Sequence, residues 1–259
     1  MKGLTPSYTH LVTHRLQDAL CSVREPATLN TMLSQTEDLM NEEWIEVSRR
    51  KFLRWTVAGT ALALAPRVSG LGFDARQSPD QDRWMNEPKH WHREGQSLEV
   101  TADPKTDFWR KTWYGYVTDN GHFLHRSVSG DFTAEVKFSG KYHDLYDQAG
   151  LMVRENAQTW MKCGVEFAVG KQNISAVLTR DFSDWSTVRL PTGTGAVWMR
   201  VVRKGPALDI FYSLDGSQWT ECRQGYLTPA SDLLVGPMCA APEGQGFDVR
   251  FENWKIVKK

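Results

Sequence analysis

From residue 84 onward, hydrophobic side chains recur at every second position in short runs, each closed by a turn. The runs are SLEVTA (97–102), FTAEVKF (132–138), AGLMVR (149–154), WMKCGVEFAV (160–169) and ISAVLTR (174–180), then VWMRVVRK (197–204), ALDIFYS (207–213) and FDVRFENWKIV (247–257). Period two marks a strand with one buried face, because successive side chains leave a pleated backbone on opposite sides. The interruptions carry turn chemistry: Asn120-Gly121, Ser139-Gly140, Lys204-Gly205-Pro206 and Asp215-Gly216. No stretch after Trp84 repeats at 3.6 residues. Many short strands at even spacing predict an all-β, two-sheet sandwich of the jelly-roll type, one domain over 84–259.

Upstream the pattern changes. LGFDARQSPDQDR (71–83) is polar and turn-rich and reads as a linker. Before it stands VSRRKFLRWTVAGTALALAP, in which Ser48-Arg49-Arg50-Lys51-Phe52-Leu53 resembles the consensus of a bacterial twin-arginine (Tat) signal, with Arg54 following. The apolar run at 55–65 is far shorter than the roughly 20 residues of a bilayer span, so no stable membrane span is expected. Small residues at 68–70 suit processing. Residues 40–70 therefore read as an export signal that engages the Tat translocase and directs the protein to the periplasm or the outside of the cell. A start at Met40 gives the arginine pair a short lead of ordinary length. Residues 1–39 then read as non-native upstream sequence, and the whole leader as helical or disordered.

Composition narrows the function classes. Lys+Arg and Asp+Glu are both 31, so nothing in the net charge points to nucleic acid. Trp is abundant, and most of these indoles fill the core while two or three are expected as platforms for sugar rings. After the leader, Cys163, Cys222 and Cys239 allow at most one disulfide, with no Cys-x-x-Cys spacing. Cys163 alternates with Met161 and Val165 and reads as a core thiol.

The same alternation assigns a second face. Along 160–167, Met161, Cys163, Val165 and Phe167 point inward, leaving Trp160, Lys162, Gly164 and Glu166 on a shallow polar groove. Leu151 and Val153 point inward, Met152 and Arg154 outward, with Arg154 near Glu166 and Lys162 across neighbouring strands. Asp147 and Gln148 belong at the rim. RDFSDWS (180–186) reads as a loop in which Asp184 accepts and Trp185 stacks, or in which Asp184 caps a turn and Trp185 plugs the sandwich mouth. In YSLDGSQW, Asp215-Gly216 is a hairpin turn and Trp219 packs the sandwich edge.

Taken in order, YDQAGLMVRENAQTWMKCGVEF, LTRDFSDWS, WMRVVRKGPALDIFYSLDGSQW and VGPMCAAP resemble the regulation-of-enolase family, a domain of unknown function with a concanavalin A-like lectin/glucanase jelly roll. The resemblance spans 84–259. It implies a concave face of the kind lectins and glucanases use for carbohydrate, and it implies no activity, since fold does not fix function.

Hydrolysis of a glycoside needs two opposed carboxylates. Glu166 has no acidic partner on its own strand; Asp144, Asp147 and Asp184 are the candidates from elsewhere. The expected ligand contacts are Gln148, Arg154, Trp160, Lys162, Glu166, Asp184 and Trp185. Three functions follow: a carbohydrate-binding domain, a glycoside hydrolase using Glu166 with Asp184 or Asp147, or a protein-interaction domain. No cofactor is expected. Structural calcium could draw oxygens from DNG (119–121) or YHDLYD (142–147), although neither is a defined calcium loop. His90 and His92 share one face of a strand, and His122, His125 and His143 read as solvated or hydrogen-bonded rather than as metal ligands.

Overall fold

The computed structural model describes residues 82–259. The Met40 start, the twin-arginine motif at 48–53 and the linker up to residue 81 lie outside the described residues. The last two linker positions are already built in: Asp82 accepts from Arg93 and Arg126 at 2.8 Å each, and Arg83 opens the first strand.

Sixteen strands and no helix occur among the described residues. In chain order the first eight are β1 (Arg83–Met85), β2 (His90–Glu94), β3 (Ser97–Ala102), β4 (Phe108–Lys111), β5 (Tyr116–Asp119), β6 (His122–Ser129), β7 (Phe132–Gly140) and β8 (Gln148–Arg154). The rest are β9 (Thr159–Ala168), β10 (Lys171–Arg180), β11 (Phe182–Arg189), β12 (Val197–Lys204), β13 (Ala207–Ser213), β14 (Thr220–Tyr226), β15 (Asp232–Ala240) and β16 (Phe247–Lys258). A front sheet runs β1-β6-β15-β8-β9-β10-β11 and a back sheet β14-β13-β12-β7-β16-β3-β2. The expected two-sheet all-β sandwich is present. No helix of the described residues is long and apolar enough to cross a membrane.

The inward positions named by alternation form the core between the sheets, except Phe167, which is only partly buried and stands outside it. Leu151, Val153, Met161, Cys163 and Val165 of the front sheet are buried in one cluster with Ala134, Val136, Phe138, Val201 and Phe251 of the back sheet. Burying each such side chain stabilises the fold by roughly 1.5–3 kcal/mol. Two turns fall where their residues place them: Lys204-Gly205-Pro206 joins β12 to β13, and Asp215-Gly216 lies between β13 and β14. There Asp215 accepts from the N–H groups of Ser217 (2.7 Å) and Gln218 (2.8 Å), which pulls its carboxyl down to about 2. Ser139-Gly140, expected as a turn, instead completes β7. The three cysteines of the described region are free.

A second core lies on the other side of the front sheet. The β4–β5 hairpin, a separate two-stranded sheet, covers that outer face. Its Phe108 and Trp109 are buried with Phe123, Met152, Trp160, Val177 and Met238. Both faces of β8 are therefore covered, and all seven of its residues are buried.

Candidate functional site

Across the front sheet, pairing brings Gln148 opposite Glu166 and Met152 opposite Lys162, with Ser175 and Trp185 following on β10 and β11. Gln148, Lys162, Glu166 and Trp185 thus share one face, and the hairpin packs on that face over Met152, Trp160 and Val177. Gln148, Lys162, Glu166 and Ser175 are each 4–6 % exposed. Lys162 Nζ donates to Phe108 O (2.7 Å), Gln148 Oε1 (2.6 Å) and Asp107 Oδ1 (3.2 Å). It also sits 5.7 Å from the centre of the Trp109 ring and 5.9 Å from that of Trp160. Glu166 Oε2 accepts from Ser175 Oγ (2.7 Å) and Trp185 Nε1 (2.8 Å). This is a buried, hydrogen-bonded network that ties hairpin to sheet.

Several expectations change as a result. Trp160, expected on an open groove, is fully buried and packs at 6.3 Å from Phe108. Met152 does leave the inter-sheet core as expected, yet enters the second one. Arg154 does not join Glu166 and Lys162: it is opposite Trp160 and clamps Asp119 of β5 at 2.6 and 2.7 Å. Asp147 and Gln148 are buried rather than at a rim.

The 180–186 stretch, expected as a loop, belongs largely to edge strand β11, whose exposure hid the alternation. Asp184 and Trp185 consequently point to opposite faces. Asp184 pairs with Arg223 at 2.8 Å, while the Trp185 indole is fixed by Glu166 and Ser175. Asp147 turns into its own loop, with Oδ2 accepting from the His143 and Asp144 N–H groups. Neither carboxylate faces Glu166 across an open groove.

What remains open on this face is small. Gly150 and Gly164 oppose each other so closely that a Cβ on Gly150 would lie 2.0 Å from the Cys163 carbonyl oxygen. The gap above them is a dimple of about 10 Å³ between Gln148, Lys162, Glu166 and Ser175, room for about one water-sized group.

A larger concavity lies on the outer face of the back sheet, at the β2 edge. A groove of about 740 Å³ is lined by His90, His92, Thr101, Ser139, Asp248 and Arg250, with Trp91 at its margin. This volume falls in the range of small-ligand sites. Register places these side chains on one face: His90 opposite Thr101, His92 opposite Glu99, Thr101 opposite Asp248, and Arg250 opposite Ser139. Asp248 accepts from Thr101 Oγ1 (2.9 Å) and Lys141 (3.0 Å), and Arg250 reaches Glu99 at 3.3 Å. Trp91 is 41 % exposed, edge-on to Trp84 and anchored through Nε1 to Glu87. The sequence signal was the alternation His90-Trp91-His92, but β2 has no apolar face to mark it as a sheet strand.

The remaining histidines are hydrogen-bonded or shielded. His122 is buried: Nδ1 donates to Asn86 O at 2.6 Å, and Nε2 accepts from the Asp103 N–H at 2.9 Å. Burial, with Arg83 and Arg154 nearby, lowers His125 to about 4.

Comparison with known proteins agrees with the architecture. A 177-residue stretch is 40 % identical to "Regulation of enolase protein 1" of Saccharomyces cerevisiae, covering 68 % of this chain and 89 % of that one. A crystal structure of a functionally unknown protein from Saccharomyces cerevisiae superposes with a TM-score of 0.67 at 38 % identity, over 71 % of this chain and 99 % of that one. The GH43 protein BlXynB of Bacillus licheniformis shares the fold at a TM-score of 0.52 and 17 % identity, over 76 % of this chain and 42 % of its own. The model of the family described as "Protein of unknown function (DUF1349)" matches residues 84–259, the span of the sandwich, and the chain belongs to that family.

Proposed function

We propose that the sandwich is a non-catalytic domain that binds a carbohydrate or similar polyhydroxylated ligand, held in the groove at the β2 edge of the back sheet. One observation carries the reading: a groove of about 740 Å³ is lined by strand-borne side chains that together donate and accept, while the Trp91 ring, on the other face of β2, packs beside Trp84 at its margin. Sugars present hydroxyl pairs to charged groups, so the Asp248, Arg250 and imidazole lining matches their chemistry. Rigid strands hold such groups in register, which lowers the ordering cost of binding. Binding is favoured over hydrolysis because Glu166 is buried and bonded to Ser175 and Trp185, while Asp184 pairs with Arg223 and Asp147 accepts within its own loop. The twin-arginine motif at 48–53 supports action outside the cytoplasm.

Glycan-array binding by the protein, repeated with Trp91→Ala, Arg250→Ala and Trp185→Ala, tests this. Arg250 is half-exposed, so its loss leaves the fold intact. A hit that weakens at least about tenfold with Trp91→Ala or Arg250→Ala and stays with Trp185→Ala is expected. A flat array, or loss with Trp185→Ala alone, would overturn the groove assignment.

A further inference from the structure

The loop between β7 and β8 gathers His143, Asp144 and Asp147 so that one ligand atom from each lies within 4.8 Å of the others. The His143 and Asp144 side chains are 55 and 42 % exposed, whereas that of Asp147 is wholly buried. Asp147 Oδ2 is satisfied by two backbone N–H groups, from His143 at 3.0 Å and Asp144 at 2.9 Å. Its other oxygen, Oδ1, is buried with no hydrogen-bond partner. A carboxylate oxygen left bare in the interior is costly. The opposite wall is fitted to the cluster. A Cβ on Gly244 would stand 2.1 Å from Asp144 Oδ2, so only glycine leaves that carboxylate its place.

We propose that His143 Nδ1 and the carboxylates of Asp144 and Asp147 hold a first-row transition-metal dication of the zinc class. Two carboxylates balance its charge, and an imidazole with carboxylates is a donor set such ions take. Calcium, the ion expected from YHDLYD, takes six to eight oxygens, and a three-donor set containing nitrogen suits it poorly. His143 Nδ1 is 2.9 Å from Asp144 Oδ2, so the proton between them is what the ion would displace. Occupancy would cross-link the loop that carries the chain from β7 of the back sheet to β8 of the front sheet. The proposal is independent of the carbohydrate reading.

The full-length chain, stripped with EDTA, is titrated calorimetrically with Zn²⁺, Mn²⁺ and Ca²⁺, and its melting is followed in parallel. Saturable zinc binding is expected, with a melting temperature raised by roughly 5–10 °C at a hundredfold excess over Kd. Asp147→Asn and His143→Ala should each weaken binding at least about tenfold. His143 is exposed, so its variant stays folded even if Asp147→Asn does not. Absence of heat with both zinc and manganese, unchanged affinity in His143→Ala, or binding of calcium alone would each overturn the proposal.

Discussion

Replacing Lys162 by Met tests whether the hairpin is part of the fold or merely lies on it. Methionine keeps the unbranched stem, so the cavity term is small. The loss is electrostatic: the ammonium leaves Phe108 O, Gln148 Oε1 and Asp107 Oδ1. Asp107 Oδ1 still accepts from the Phe108 N–H at 2.8 Å and Gln148 Nε2 at 3.1 Å, so it is not stranded. Phe108 O loses this donor in a side chain-buried site, and Gln148 Oε1 loses the shortest of the three bonds. Hydrogen bonds from a charged donor contribute about 1.5–3 kcal/mol each, and removing one partner of a buried pair costs about 3–5 kcal/mol. The expected destabilisation is therefore about 3–5 kcal/mol, a large share of the roughly 5–15 kcal/mol a domain has. Urea unfolding followed by tryptophan fluorescence reads it as a lowered midpoint with a similar slope. Lys137→Met is the control: its bridge to Glu252 at 3.0 Å is about a quarter exposed on both sides and should cost under about 1 kcal/mol. Equal effects from the two variants would refute the second core.

Two further outcomes follow from the packing. Gly150→Ala pushes a Cβ to 2.0 Å from a backbone oxygen of the paired strand, which cannot rotate away; a loss of about 3 kcal/mol or more is expected in the same unfolding assay, and a neutral variant would show that the strands separate freely. His125 binds its proton near pH 4 when folded and near 6.5 when unfolded, so the unfolded chain holds more protons in between. Its contribution is complete above about pH 6.5 and falls as pH drops towards 4, by about 1–2 kcal/mol after allowing for partial exposure. Comparing His125→Gln with the parent at pH 7 and 4.5 isolates it, and identical pH slopes would contradict the assignment.

The sandwich was readable because burial imposes period two. β3, β12 and β13 run over the residues their alternation predicts, and the turns at 204–206 and 215–216 follow from residues that favour them. Strands without a buried face were not: β2 is exposed along its length and β11 nearly so, leaving no apolar stripe. The side of each residue in 160–167 was also legible, but alternation tells only that a strand has two faces, not what lies over the second. The covering hairpin is two four-residue strands, and Phe108 reaches Trp160 across fifty-two residues of chain. A hint was present in the run Ala149-Gly150-Leu151-Met152, apolar on both sides, as in a strand covered twice. The groove was missed for the converse reason: its residues are polar, and only the pairing of β2, β3 and β16 unites them.

The division between a sealed front face and an open back groove is tested most directly by the indole N–H signals in a ¹H–¹⁵N spectrum, as the tightest array ligand is titrated in. The Trp91 indole should shift with the ligand while that of Trp185, bonded to Glu166, holds still. Movement of Trp185 with Trp91 unmoved would place the ligand on the front sheet and contradict the reading.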